Sequence, residues 1–397
     1  MLPGWTQFRT PDRQEEAPMA HTDALGERFY IASETRTLSM LDLLKLFKRQ
    51  GTARVTDLHL KVGKGPCFRV DGELKITGGN PLTHEIIERM ARTLLDDTQL
   101  ETLRKLRSVN ASRLIEGLRY RINAYHDHRG LAMAIRALDT STPSIDFIGF
   151  PNRVWQDIVG LTQGLILVTG TTGAGKSTTI AALINEIART RPCHIITLED
   201  PIEYEFHSDI AMISQRAIGR DVPNWERGLR DCLREDPDVI FVGEMTDVES
   251  ATWTLTAAET GHLVFSGIHT RDATGTITRV LDMYPPNRIE EVAQQLALGL
   301  RYILSQKLIQ RCDKPGRIVA MEILNNTGAV GNLIRQVKPE HIYSLLQTNT
   351  RDEPGHRMRT LERSLAELVS QGKIARHEAE RAANKPASFE DEMKRLT

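Results

Sequence analysis

The run Gly170-Thr171-Thr172-Gly173-Ala174-Gly175-Lys176-Ser177-Thr178 satisfies the spacing G-x-x-x-x-G-K-[ST] in full. Each residue type in it suits phosphate. Glycines let backbone N–H groups turn inward around phosphate oxygens. A helix read from Lys176 to about Arg189 aims its positive end at the same oxygens. Lys176 is expected to bridge the outer two phosphates of a nucleoside triphosphate, and Ser177 Oγ to ligate Mg²⁺. The context agrees. An apolar strand, Leu165–Thr169, precedes the loop and a helical pattern follows it. The expected cofactors are ATP and Mg²⁺.

Three further groups could act on a phosphate held there. Val239-Ile240-Phe241-Val242-Gly243-Glu244 is an apolar strand ending in an acid. Gly243 stands where such strands usually carry an aspartate. Glu244 must therefore orient the attacking water, or bind Mg²⁺ through water, without an aspartate beside it. Glu199-Asp200-Pro201-Ile202-Glu203 closes another apolar strand, His194–Leu198. Ligands of open α/β sheets bind beyond the carboxyl ends of strands. Glu199, Asp200 and Glu203 could hold waters on Mg²⁺ there or polarise the nucleophile; a plain charged loop is the alternative. Finally, His262 and His269 bracket the strand Leu263–Ile268. With no cysteine nearby, zinc is disfavoured. A γ-phosphate sensor is the functional reading, and a satisfied structural histidine is the competing one.

Arginines form the last group. Arg119 and Arg121 lie on the polar face of a hairpin, and Arg129 and Arg136 follow. They could close over the nucleotide from their own subunit or a neighbour, which at a γ-phosphate is worth ~10³–10⁵ in rate. A solvated hairpin face is the alternative.

The elements that must position these groups fall into two patterns. Residues 1–36 read as a polar, Pro-containing extension with one short strand at 28–32. Residues 37–140 read as a small α+β domain: a helix from Leu38 to about Gln50, a hairpin turning at Asp71-Gly72, a helical segment at 83–106, and a second hairpin turning at 127–130. Loop residues fill 141–160. Beyond them, fully apolar strands alternate with helices to about residue 340, the mark of a parallel sheet buried on both faces. A helical tail, 341–397, carries a stripe of Met358, Leu361, Leu365 and Leu368.

Bulk properties narrow the class. At 397 residues, two or three domains are expected at roughly 100–200 residues each. The net charge of −1 offers no global field for nucleic acid or anionic membrane. Cys67, Cys193, Cys232 and Cys312 are scattered, so neither a Cys-x-x-Cys metal site nor a redox pair is read. No apolar run approaches the ~20 residues that span a bilayer. The first twenty residues lack the apolar stretch of a signal peptide. A cytoplasmic protein is expected, able to work against the inner membrane.

Together these motifs resemble the Asp box, Walker B element and His box of the secretion ATPase superfamily. They include Leu233-Arg234-Glu235-Asp236-Pro237-Asp238, Gly243-Glu244-Met245 and Glu259-Thr260-Gly261-His262-Leu263. Within the superfamily the chain is most similar to the PilT-like group, the pilus-retraction motors. That likeness rests on Asp57-Leu58-His59-Leu60, Arg121-Ile122-Asn123-Ala124-Tyr125 and Asn332-Leu333-Ile334-Arg335. The resemblance implies an α/β fold, a RecA-like P-loop domain with a mostly parallel sheet preceded by a smaller α+β, PAS-like domain. It implies a homohexamer, with Glu244 as catalytic base and the Asp-box acids near Mg²⁺. It implies arginines such as Arg129 and Arg136 completing the site, and a membrane platform protein as partner. Two departures stand out. Gly331 replaces an arginine of the family's C-terminal signature, and the extension over 1–36 is additional. A motor for type IV secretion or conjugation is the first alternative. A nucleic-acid translocase and an ATP-binding switch that barely hydrolyses are the others.

Overall fold

Residues 22–47, 55–70, 73–138, 142–348 and 356–396 are described by this computed structural model. They belong to two units, Met1–Asp139 and Thr140–Thr397. Most of the expected extension, residues 1–21, lies outside the described residues, as do 48–50 at the end of the first expected helix.

In the first unit, β1 (Tyr30–Ser33) pairs with β2 (Arg36–Leu38). A separate antiparallel sheet contains β3 (Val55–Lys61), β4 (Cys67–Val70), β5 (Glu73–Ile76), β6 (Ser108–Ile115), β7 (Leu118–Asp127) and β8 (Gly130–Leu138). Its order is β5-β4-β3-β8-β7-β6. Alternation sorts the two faces. Leu58, Leu60, Tyr120, Ile122, Met133 and Ile135 pack on the helix His84–Leu94, and Leu25 and Tyr30 join that core. From residue 22 onward the extension therefore contributes to the unit. The helical segment expected over 83–106 is two helices, His84–Leu94 and Asp97–Leu106. Asp96 accepts from Gln99 N while the Gln99 side chain accepts from Asp96 N, and this reciprocal cap starts a new helix.

The second unit is built on a seven-stranded sheet of β9 (Gly164–Thr169), β10 (His194–Glu199), β11 (Met212–Ala217), β12 (Val239–Glu244), β13 (Leu263–Ile268), β14 (Leu300–Gln310) and β15 (Arg317–Asn325). The order is β11-β10-β12-β13-β9-β14-β15, parallel except for β14–β15. β9 and β13 are buried along their whole length, as their mostly apolar sequences require, with Thr169 and Ser266 the polar exceptions. Ile166 and Val168 pack on the helix Lys176–Thr190, whereas Leu165 and Leu167 pack on helices that follow β12 and β13. The residues expected as a linker carry two short helices, Ile145–Ile148 and Val154–Val159. Their Ile145, Ile148, Val154 and Ile158 bury against the first of these faces. Short helices of four and six residues give too little period to be read from sequence.

The tail packs on the antiparallel hairpin. Leu361, Leu365, Leu368 and Phe389 enclose Ile309 and Ala320. At this boundary Glu322 of β15 is 2% exposed and accepts from Ala273 N at 2.7 Å. Burial pushes its carboxyl up to about 8, helped by the charges of Asp272 and Glu362 and opposed by Lys385. Between the ordinary carboxylate range and about 8, the unfolded chain gives up this proton and the native one keeps it. Stability from this group is thus full at low pH and is lost as pH rises. Glu322→Gln keeps the acceptor and has no proton to lose. Relative to wild type it should be near neutral at about pH 4.5 and stabilised by on the order of a few kcal/mol near pH 8.5, read by denaturant unfolding at both pH values.

Candidate functional site

The phosphate loop turns where its glycines are needed. Gly170, Gly173 and Gly175 have φ of 150°, 78° and 89°, the region that L side chains rarely adopt. A Cβ on Gly170 would also stand 2.6 Å from Gln306 O. Gln306, on β14, holds the loop from behind. Its Nε2 donates to Ala174 O at 2.7 Å, and its Oε1 accepts from Thr179 Oγ1 at 2.9 Å. Ser177 and Thr178 begin the helix Lys176–Thr190, and Thr178 shares a 2.9 Å hydrogen bond with Tyr204 of the acidic loop after β10.

Lys176 is 8% exposed, and its ammonium sits at the carboxyl edge of the sheet. Nζ donates to Gly170 O at 3.2 Å and to His269 Nδ1 at 3.1 Å, and lies 4.0 Å from Glu244 Oε1. An ammonium can only donate, so His269 Nδ1 accepts. The imidazole proton is then on Nε2, which points at Glu244 Oε1, 2.8 Å away. Burial lowers the Lys176 pKa, while the charges of Glu244 and Glu203 hold its proton on. Lys176, His269 and Glu244 thus form one connected set on three adjacent strand ends. Glu244 and His269 remain open to solvent, at 42% and 44% side-chain exposure.

Gly267 makes room for this set. A Cβ there would stand 2.9 Å from Gly243 O and 3.7 Å from both Glu244 Cγ and Lys176 Cε. Gly267→Ala should therefore displace the Gly243 carbonyl, and with it the strand end that carries Glu244. The expected loss in kcat/KM is ~10–100-fold, since displacements near 1 Å suffice for that. A phosphate-release assay checks it, and unchanged turnover would show that the set has slack.

The acidic loop is split between buried and open carboxylates. Glu199 is 5% exposed. It accepts from Thr197 Oγ1 at 2.7 Å, Gln215 Nε2 at 3.3 Å and Glu203 N at 3.4 Å. Burial nevertheless pushes its pKa up to about 7. Glu199 therefore braces the loop. Glu203 is half-buried, and its charge helps hold the proton on Lys176. A Cβ on Gly243 would meet Glu199 Cα at 3.5 Å and Leu198 O at 3.3 Å. A longer side chain at 243 would enter the space beside Glu199.

Other sequence-derived candidates lie elsewhere. His262 caps the other end of β13. Its Nδ1 lies 3.0 Å from Ala257 O and 3.1 Å from Thr260 Oγ1. Six strand residues at about 3.3 Å each separate it from the loop by roughly 20 Å. Arg234 is exposed in the turn before β12, also at the amino edge. Arg119, Arg121, Arg129 and Arg136 belong to the first unit. Arg136 donates to Asp57 Oδ1 at 2.7 Å, and Arg69 Nε lies 4.0 Å from Asp57 Oδ2. Arg121 is the cross-strand partner of Arg136. Arg119 donates to Ser112 Oγ at 3.3 Å. Arg129 is exposed in the β7–β8 turn, its N–H donating to Asp127 Oδ1 at 2.7 Å.

Gln306, Tyr204 and Gly267 were not legible as site residues. Only Gln306 had a signal, the polar step Ser305-Gln306-Lys307 inside an otherwise apolar run.

The profile of the type II/IV secretion system protein family matches residues 108–392. The chain belongs to this family. It is 37% identical over 353 residues to the type IV pilus retraction ATPase PilT of Pseudomonas aeruginosa, covering 89% of this chain and 100% of that protein. It is 39% identical to a twitching motility protein of Neisseria gonorrhoeae, covering 82% and 86%. A crystal structure of the pilus retraction motor PilT with bound ADP superposes with a TM-score of 0.78 at 38% identity, over 89% of this chain and 99% of that one. The chain is a P-loop ATPase. Among the described residues no helix is long and apolar enough to cross a membrane.

Proposed function

We propose that this chain is a hexameric motor that hydrolyses ATP to drive type IV pilus retraction. The observation that carries the chemistry is the Lys176–His269–Glu244 set at the carboxyl edge of β9, β12 and β13. The likeness to retraction ATPases over nearly nine-tenths of the chain supports the biological role.

In this reading the loop N–H groups and Lys176 bind the phosphates, and the γ-phosphate takes the place of Gly170 O at Nζ. Glu244 accepts a proton from the attacking water. His269 steadies Glu244 through Nε2–H and is coupled to the γ-phosphate through Lys176, which donates to Nδ1. Mg²⁺ fits the donors present. Among the described residues no three His, Cys, Asp or Glu side chains form a cage. Mg²⁺ usually takes one or two protein oxygens plus phosphates and waters. Ser177 would supply an oxygen, and Asp200 and Glu203 would hold its waters. When bound, the ion neutralises charge developing on the phosphates. The arginines of the first unit, Arg129 and Arg136 foremost with Arg119 and Arg121, are the candidates to meet the nucleotide's phosphates, in their own or a neighbouring subunit. A membrane platform protein receives the motion, so the motor works at the cytoplasmic face of the inner membrane.

Deletion and complementation test the role. Cells lacking the chain should carry excess, unretracted pili and lose surface motility, and the wild-type gene should restore both. Normal piliation with a loss of protein export or DNA transfer would instead favour a secretion or conjugation motor.

A further inference from the structure

β14 presents successive side chains to opposite faces of the sheet. Gln306 points to the face that carries the phosphate-loop helix, where it holds Ala174 and Thr179. Lys307 points to the other face, where its Nζ donates to Asn384 Oδ1 and to Ala382 O, each at 2.7 Å. Asn384 lies between the helices Arg376–Ala382 and Pro386–Leu396 of the tail. A lysine only donates, so the amide oxygen of Asn384 must face Lys307 and the amide nitrogen must face away. That nitrogen donates to Arg271 O at 3.4 Å. Arg271 is two residues beyond His269. Helix Ala273–Leu281 begins directly after this loop, and its first N–H is taken by Glu322.

We propose that Asn384 is a positioning residue that joins the two sides of the nucleotide site, linking the phosphate loop through Lys307 and β14 to the His269 loop through Arg271. The tail is then a strut for the catalytic histidine. The backbone of the junction is held independently of the Asn384 side chain. Glu362 Oε1 accepts from Asn384 N at 3.0 Å and from Lys385 N at 2.9 Å, and Tyr343 OH donates to Glu362 Oε2 at 3.0 Å. Glu362 is fully buried, and Lys385 Nζ covers the Tyr343 ring at 3.0 Å. Loss of the amide therefore leaves the turn in place and frees the His269 loop.

The assignment rests on ATP hydrolysis at this site, so the full-length chain is assayed beside Glu244→Gln. Asn384→Ala should lower kcat about three- to tenfold, the loss of one or two ordinary hydrogen bonds. The dissociation constant for a fluorescent ADP should stay within about twofold, because the phosphate loop keeps Gln306. Asn384→Asp is isosteric and keeps the acceptor for Lys307, but sets an oxygen against Arg271 O. It should lower kcat at least as far with ADP binding unchanged. Wild-type kcat in Asn384→Asp overturns the proposal. So does a fall in active fraction with normal kcat per bound nucleotide, which marks a role in folding alone. If the wild-type chain turns over no faster than Glu244→Gln, the reading of the site fails, and with it the coupling that depends on it.

Discussion

Glu244→Gln is expected to leave ATP binding within about twofold of wild type and to lower kcat by on the order of 10²–10⁴. The variant isolates one property. Gln keeps an oxygen for His269 Nε2–H, 2.8 Å away in the wild type, and keeps the side-chain length. It cannot accept a proton from water. Lys176 loses a nearby negative charge that helps hold its proton against burial, but Glu203 stays within reach and the bound phosphates supply negative charge in its place. Nucleotide binding should therefore survive. Single-turnover phosphate release after ATP loading is the measurement. Normal release would move the base elsewhere, and Glu203 is the next carboxylate on that edge.

Lys176→Ala should fail at an earlier step. The ammonium is almost buried, and its contacts are Gly170 O and His269 Nδ1. Removing it takes one positive charge from the phosphate site and leaves His269 Nδ1 without its donor. Loss of one donor aimed at developing charge costs ~10²–10³ in rate, and ground-state binding weakens as well. We expect kcat/KM to drop by at least that factor, with ADP affinity lowered in a titration with a fluorescent analogue. Undiminished hydrolysis would contradict the assignment of the loop.

The two variants separate binding from chemistry because the sequence already separates them. Glycines, a lysine and a hydroxyl at fixed spacing carry the whole phosphate cradle in nine consecutive residues. Apolar strands ending in Glu199 and Glu244 marked the edge on which the acids stand. These were legible because each function sits next to its element boundary. The rest depends on pairing across the chain. The β14–β15 hairpin has turn signals, Gly299 before Leu300 and Pro315-Gly316 between its strands, but which strand β14 lies beside is set only by the folded sheet. Gln306 reaches the phosphate loop only because β14 lies beside β9, and Gly267 matters only because Lys176 and Glu244 converge over it. His262 and His269 read alike as flanks of a strand. Direction decides between them, since only the carboxyl end meets the loop. The three carboxylates at 199–203 also read alike, and burial divides them. Glu199 is enclosed by Thr197 and Gln215, whereas Glu203 stands near Lys176.

The most direct test of the whole account is to watch surface-labelled pili on living cells of the deletion strain carrying either wild-type protein or Glu244→Gln. The account predicts that filaments shorten on cells with the wild-type chain. On cells with Glu244→Gln they should extend and remain extended. Filaments that shorten at the same speed in both strains would contradict it, because retraction would then be independent of ATP turnover at this site.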